Sequence, residues 1–168
     1  YEDPVRPDNF DDMQRVASEI HIPIATGERL HTLEEFGMLL ARNACQYIRP
    51  DVCLCGGITQ AKKIAAAAEA RGVLVVPHNP LSPVSTAACI QLAASIPNFA
   101  IQEYPLGEDC APKNEIVKST LTLDNGYLTV PDSPGIGIEL NEQAMHQYPY
   151  KPRLYVTKLR EDGSVVDQ

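Results

Sequence analysis

The sequence predicts an α/β fold built from βα repeats, as the C-terminal part of a (β/α)8 TIM-type barrel, and three observations carry that prediction. Short apolar, β-favouring runs alternate with helix-patterned segments. The links between them are short enough to imply right-handed crossovers and a parallel sheet covered on both faces. An ionisable residue also recurs at or near every strand tip: Glu2, Glu28, Asp51, His78 and Glu103, at intervals of 26, 23, 27 and 25 residues, about one βα unit each. The C-terminal ends of barrel strands converge on one mouth, so groups at this period point at a common centre. An open doubly wound sheet would spread them along an edge and would normally carry a phosphate loop. The G-x-G at 135–137 follows Pro134 and lacks a third glycine, a poor nucleotide fingerprint.

The elements follow in order. Residues 8–20 read as a helix, with Asp8 or Asn9 as N-cap and Phe10, Met13, Val16, Ala17 and Ile20 on one face. PIATGE is a strand that ends on Glu28. Thr32 and Glu35 make a capping box, and Leu33, Phe36, Leu39 and Leu40 form the buried stripe of the helix behind it. A strand YIRPDVC starts near Tyr47. Residues 56–72 then form a helix whose Ile58, Ala61, Ile64, Ala65 and Ala68 face is small enough for close packing, and Gly72 stops it. VLVVPH is a strand, Pro83 opens a helix through Ala94, and PNFAIQE returns as a strand. Asp124-Asn125-Gly126 marks a hairpin turn. Residues 1–110 are expected to form the barrel half, and 111–168 a hairpin and tail packing back on it or on a cap domain.

Composition bounds the function. At 168 residues and 44% hydrophobic content, the chain can bury a substantial core. A net charge of -8 argues against nucleic acid or an anionic membrane as partner and favours a small solute or a protein. No apolar run reaches the roughly 20 residues that span a bilayer, and no signal segment opens the chain, so the expected location is cytoplasmic. The five cysteines are odd in number and lie mostly in apolar runs, which predicts buried thiols. Cys53 and Cys55 are expected on one face of a strand, not in a zinc knuckle. The opening Tyr-Glu-Asp-Pro has no initiator methionine and reads as a cut.

Glu2 in YEDP, Glu28 in TGER, Asp51 in RPD before GGIT, His78 in VPHNPLSPV and Glu103 in IQE resemble, in order and spacing, the second half of the barrel in the enolase superfamily. The likeness is to its mandelate racemase/muconate lactonizing branch, particularly the galactonate- and mannonate-type acid-sugar dehydratases. It extends through GYLTVPDSPGIGIELNE and REDGSVVD. By this resemblance an N-terminal cap domain and the first strands, with a third metal ligand and a Lys-x-Lys base motif, lie upstream and are absent from this chain. The complete protein is expected to be a homo-oligomer acting on a small acid sugar. Leu54 departs from the pattern, since galactonate dehydratases often place a histidine three residues after this aspartate.

The implied chemistry needs these residue types. Removing a proton beside a carboxylate creates an enediolate, inaccessible unless a cation takes up its charge. Mg²⁺ prefers oxygen ligands, and the resemblance makes Glu2 and Glu28 that pair, with the family spacing selecting Glu2 over Asp3. His78 is the candidate base, with Asp51 holding its other ring nitrogen. Glu103 is implied near the substrate carboxylate, as acid or hydrogen-bond donor. Arg29 either touches a substrate hydroxyl or braces Asp51, and His31 either contacts substrate or is solvated. His21 falls at the opposite, N-terminal face, His146 in a polar tail, and Ser82 and Ser85 lack a hydrolase setting. The implied reaction is dehydration to a 2-keto-3-deoxy sugar acid, with racemisation or epimerisation as the alternative, and a catalytically incomplete fragment as the non-enzyme reading.

Overall fold

Five parallel strand segments lie side by side in chain order in the computed structural model, which describes residues 1–152 and 156–166. The central three are β1 (Ala25–Thr26), β2 (Tyr47–Ile48) and β3 (Leu74–Val75), in register Ala25–Tyr47–Leu74 and Thr26–Ile48–Val75. Glu2 bridges to Ala25 at one edge, and Phe99 to Val75 at the other. Each junction is held by backbone bonds, Asp3 N–H to Ala25 O at 3.0 Å and Ala100 N–H to Val75 O at 2.9 Å. Strict chain order is what a singly wound, barrel-like sheet requires; a doubly wound one reverses order at a switch point.

The helices form as their sequences dictate. In α1 (Phe10–Glu19) the Asn9 side chain accepts from Asp12 N–H at 3.0 Å, which makes Asn9 the cap. The Thr32–Glu35 capping box opens α2 (Leu33–Ala41), and Phe36, Leu39 and Leu40 are buried. In α3 (Gly57–Glu69) Ala61, Ile64, Ala65 and Ala68 face inward, and α4 (Pro83–Ala94) starts on its proline. Consecutive helices pack together, α2 on α3 and α3 on α4. Ile48 and Val75, fully buried, join Phe36, Leu39, Ile64 and Ala65 in the core. Side chains alternate along a strand, so Ala25, Tyr47, Leu74 and Val76 lie on the other face. There a cleft of about 520 Å³ runs past Tyr1, Ala25, Tyr47, Val76 and Ile101.

Two expectations need correction. The β2 ladder stops at Ile48, with one further bridge from Asp51 to His78. Cys53 and Cys55 therefore lie in a turn and share no strand face: Pro50 has no N–H for a ladder, and Asp51 Oδ1 captures Cys53 N–H at 2.7 Å, folding the chain back. Of the five thiols Cys45, Cys55 and Cys89 are buried, but Cys53 and Cys110 are exposed.

Beyond residue 103 the chain carries a 3-10 turn at Lys113–Glu115, the hairpin β4 (Leu123–Asp124) and β5 (Tyr127–Leu128), and a short α5 (Ala144–Gln147). Asn125 and Gly126 both have positive φ, 49° and 84°, the turn the Asp-Asn-Gly signal predicts. Tyr104 Oη donates to Leu121 O at 3.3 Å, tying this segment to the sheet edge. The end of REDGSVVD, at Asp167, lies outside the described residues. Among the described residues no helix is long and apolar enough to cross a membrane.

Candidate active site

The strand tips deliver Glu2, Glu28, Asp51, His78 and Glu103 to one place, around a guanidinium that the sequence reading passed over. Arg49, 9% exposed, stands one residue past β2. Its Nη2 lies 2.9 Å from Glu103 Oε2 and 3.8 Å from Glu28 Oε2, and its Nε lies 3.2 Å from Glu2 Oε1. The Nε contact is close but misaligned for a hydrogen bond. Arg49 thus links carboxylates from both edges of the sheet.

Gly27 is what allows β1 to hand over Glu28. Its φ of 127° is closed to most side chains, and a Cβ there would sit 2.7 Å from the Phe36 ring and 3.3 Å from Arg49 N. The backbone turns tightly over α2, and Glu28 emerges beside Glu2 and His78. Burial pushes the Glu28 carboxyl above its ordinary range; His78 and Arg49 oppose the shift, and Asp3 and Glu2 add to it. Glu2, Asp3 and Glu28 each offer an oxygen within 4.8 Å of the other two. Asp3, set aside on family spacing, therefore lies in the same cluster, with a positive φ of 40°. An all-oxygen donor set of this kind fits a hard cation such as Mg²⁺.

His78 Nδ1 lies 2.9 Å from Asp51 Oδ2, and Asp51 is 1% exposed. Both Asp51 oxygens are engaged, Oδ2 by the ring and Oδ1 by Cys53 N–H. A buried aspartate accepting Nδ1–H leaves Nε2 as the acceptor, and Nε2 faces Glu28 Oε2 at 3.4 Å. Glu103 Oε2 accepts from Asn79 N–H at 2.7 Å as well as from Arg49.

Arg29 and His31 stand differently from the strand-tip residues. Arg29 lines a separate cleft with Pro7, Asp8, Phe10, Leu30, Glu35 and Met38. His31 is exposed, and its backbone N–H donates to Glu35 Oε2 at 2.7 Å as part of the α2 cap. Of the polar neighbours Arg49, Asn79 and Asp3, a local signal marked only Arg49: a cation inside the apolar run YIRP.

The model of the enolase C-terminal domain-like family matches residues 1–144, and the chain belongs to that family. It is 39% identical over 150 residues to a D-galactonate dehydratase family member of Musicola paradisiaca, a match covering 88% of this chain and 36% of that protein. It is 34% identical over 146 residues to the D-galactonate dehydratase of Verminephrobacter eiseniae, covering 84% and 38%. An enolase of Agrobacterium radiobacter, solved with bound Na and L-malate, superposes with a TM-score of 0.87 at 35% identity, over 98% of this chain and 45% of that one. A member of the enolase superfamily from Salmonella Typhimurium gives a TM-score of 0.85 at 38% identity, over 89% and 38%. The chain spans less than half the length of these relatives.

Proposed function

We propose that the complete protein dehydrates an acid sugar with the help of Mg²⁺, by taking the proton beside the substrate carboxylate and expelling the neighbouring hydroxyl, to give a 2-keto-3-deoxy sugar acid. The observation that carries this reading is the Asp51–His78 pair at 2.9 Å, with His78 Nε2 3.4 Å from Glu28, which clusters with Glu2 and Asp3. Asp51 fixes the tautomer, and Nε2 accepts the α-proton. Glu2 and Glu28 would hold the cation. When bound, Mg²⁺ supplies positive charge against the anion that develops on the substrate carboxylate. Glu103, aligned by Arg49 and Asn79, contacts that end of the substrate. The leaving hydroxyl departs as water with a proton from an acid, and the enol tautomerises to the ketone.

Further strands close a barrel of eight over the open face that carries Tyr47, Leu74 and Val76, with residues 1–110 as its second half and 111–168 packed back on it.

The test is to assay the complete protein on a panel of aldonic acids. A 2-keto product trapped by semicarbazide is expected; epimer formation without a keto product would assign the racemase reading instead. His78→Asn should slow solvent deuterium exchange at the α-carbon by about 10²–10⁴-fold, the ordinary contribution of a positioned base. Asp51→Asn should slow it less. Parental exchange in His78→Asn would move the base elsewhere.

A further inference from the structure

Glu108 takes no part in the chemistry above, yet it is the most completely buried acid in the described chain, with no exposed surface. Its Oε2 lies 2.6 Å from Thr86 Oγ1, in the first turn of α4. Thr86 Oγ1 also lies 2.7 Å from Asn79 Nδ2 and 3.3 Å from Ser82 O. Asn79 Nδ2 reaches Glu103 O at 3.0 Å, while Asn79 N–H donates to Glu103 Oε2. Asn79, Thr86 and Glu108 are all fully buried. A buried polar line therefore runs from the loop after the fifth strand segment, through α4, to the residue that follows His78, and ends on both the backbone and the carboxylate of Glu103.

The protons along this line can be assigned. A flipped Asn79 amide would set its oxygen against Glu103 O, so Nδ2 must be the group there, and its second hydrogen goes to Thr86 Oγ1. The hydroxyl then has one proton and one lone pair left for Ser82 O and Glu108 Oε2. Ser82 O can only accept. With the Thr86 proton on Ser82 O, the remaining lone pair needs a donor, and only a protonated Glu108 supplies it. The other assignment would leave an ionised carboxylate fully buried with one hydrogen bond, its Oε1 unmet by any donor among the described residues, which is a costly state.

We propose that Glu108 is a positioning residue: as a neutral acid it donates to Thr86 and, through Thr86 and Asn79, sets the Glu103 carboxylate relative to His78. The role assigned to Glu103 rests on the dehydratase reading; the protonation of Glu108 does not. Burial acts in the same direction, pushing the Glu108 carboxyl above its ordinary range; Lys113 opposes it, as would Thr86 were its hydroxyl the donor. The arrangement joins the tips of two strands, one bearing the candidate base and the other the candidate acid, by a route outside the mouth.

The experiment has two arms, both on the complete protein. The infrared spectrum at neutral pH should show the carbonyl stretch of a protonated carboxylic acid that shifts in D₂O and disappears in Glu108→Gln. Identical spectra for the two proteins in that region would overturn the proposal whatever the enzyme does. In the second arm Glu108→Gln, whose amide N–H can donate the same bond, should keep kcat within about twofold of the parent, whereas Thr86→Val and Glu108→Leu should lower kcat about tenfold, the scale of one buried hydrogen bond, with KM changed far less. Deuterium uptake at Asn79 N–H should quicken in those two variants and stay parental in Glu108→Gln. Parental kcat and uptake in Thr86→Val would sink the relay even if Glu108→Leu failed to fold. An enzyme with no dehydratase activity would refute the functional reading alone, because the infrared band and the uptake at Asn79 would still report on this line of bonds.

Discussion

The arc of residues 1–103 and the segment that follows it are made of similar amino acids but are held by different means. In the arc the first four strand segments are each followed by a helix with a buried stripe, and the core from Met13 to Leu92 is continuous. In the segment from 111 onward Val117 and Ala144 are the buried apolar residues among those described, and Leu123, Tyr127, Leu140 and Tyr150 are exposed. Its order comes from a turn, two isolated bridges and side-chain bonds such as Gln147 to Glu115 at 2.7 Å. Periodic burial makes the arc cooperative, and the tail is held by scattered polar bonds and bridges that open nearly independently.

Substitutions should expose that contrast, beginning where the effect is largest. Phe36→Ala should cost about 3–5 kcal/mol, because the ring is fully buried and also supports the turn at Gly27. The readout is the urea midpoint. A loss comparable to that of a tail substitution would erase the distinction between the regions. Gly126→Ala, which puts a side chain at φ 84° in the hairpin, should cost about 1–2 kcal/mol. Tyr127→Ala, 79% exposed, should stay within about 0.5 kcal/mol.

Glu108 sits where the two regions meet and gives the contrast a pH dependence. Its carboxyl is raised by burial in the folded chain and ordinary when unfolded. Its stabilising contribution is thus fully present below the unfolded value near 4.5 and is lost as pH rises through the folded one. Lys113 opposes the shift. The urea midpoint of Glu108→Gln should accordingly gain on the parent as pH rises from mildly acidic to alkaline. A constant difference across that range would contradict this account.

Thiol labelling gives the smallest signal but covers the whole map. In native protein iodoacetamide should label Cys53 and, more slowly, Cys110, whose thiol is raised by its hydrogen bond to Asp109. Cys45 and Cys89, pushed up to about 12 by burial, and Cys55, pushed up to about 11, should react only in denaturant. Peptide mapping that found buried Cys45 labelled as fast as exposed Cys110 would show the arc opening as readily as the segment beyond it.

The arc was legible because its signals are local: the capping box at Thr32, the small-residue face of α3, Pro83 at the start of α4 and the spacing of the strand tips. The tips Glu2, Glu28, Asp51, His78 and Glu103 meet as that spacing implied. What escaped reading was set by distant neighbours. Glu108 looks like a solvated acid in LGED, and its burial depends on Thr86, 22 residues away. Asn79 reads as a turn residue before Pro80 until Glu103, 24 residues on, comes to rest beside it. Cys53 and Cys55 were misplaced because Asp51 bends the chain with its own side chain, a choice that alternation alone does not reveal.

Arg49 also sets an order in time. A ribosome releases the chain from its N-terminus at about 5–20 residues per second, so Glu2 and Glu28 emerge before Arg49. Arg49 follows and can pair with them, but its shortest ion pair is with Glu103, 54 residues later. For several seconds of synthesis the guanidinium belongs to the early strands alone. The last strand to appear then competes for it, and the mouth takes its final form when the newest part of the chain claims a partner from the middle of it.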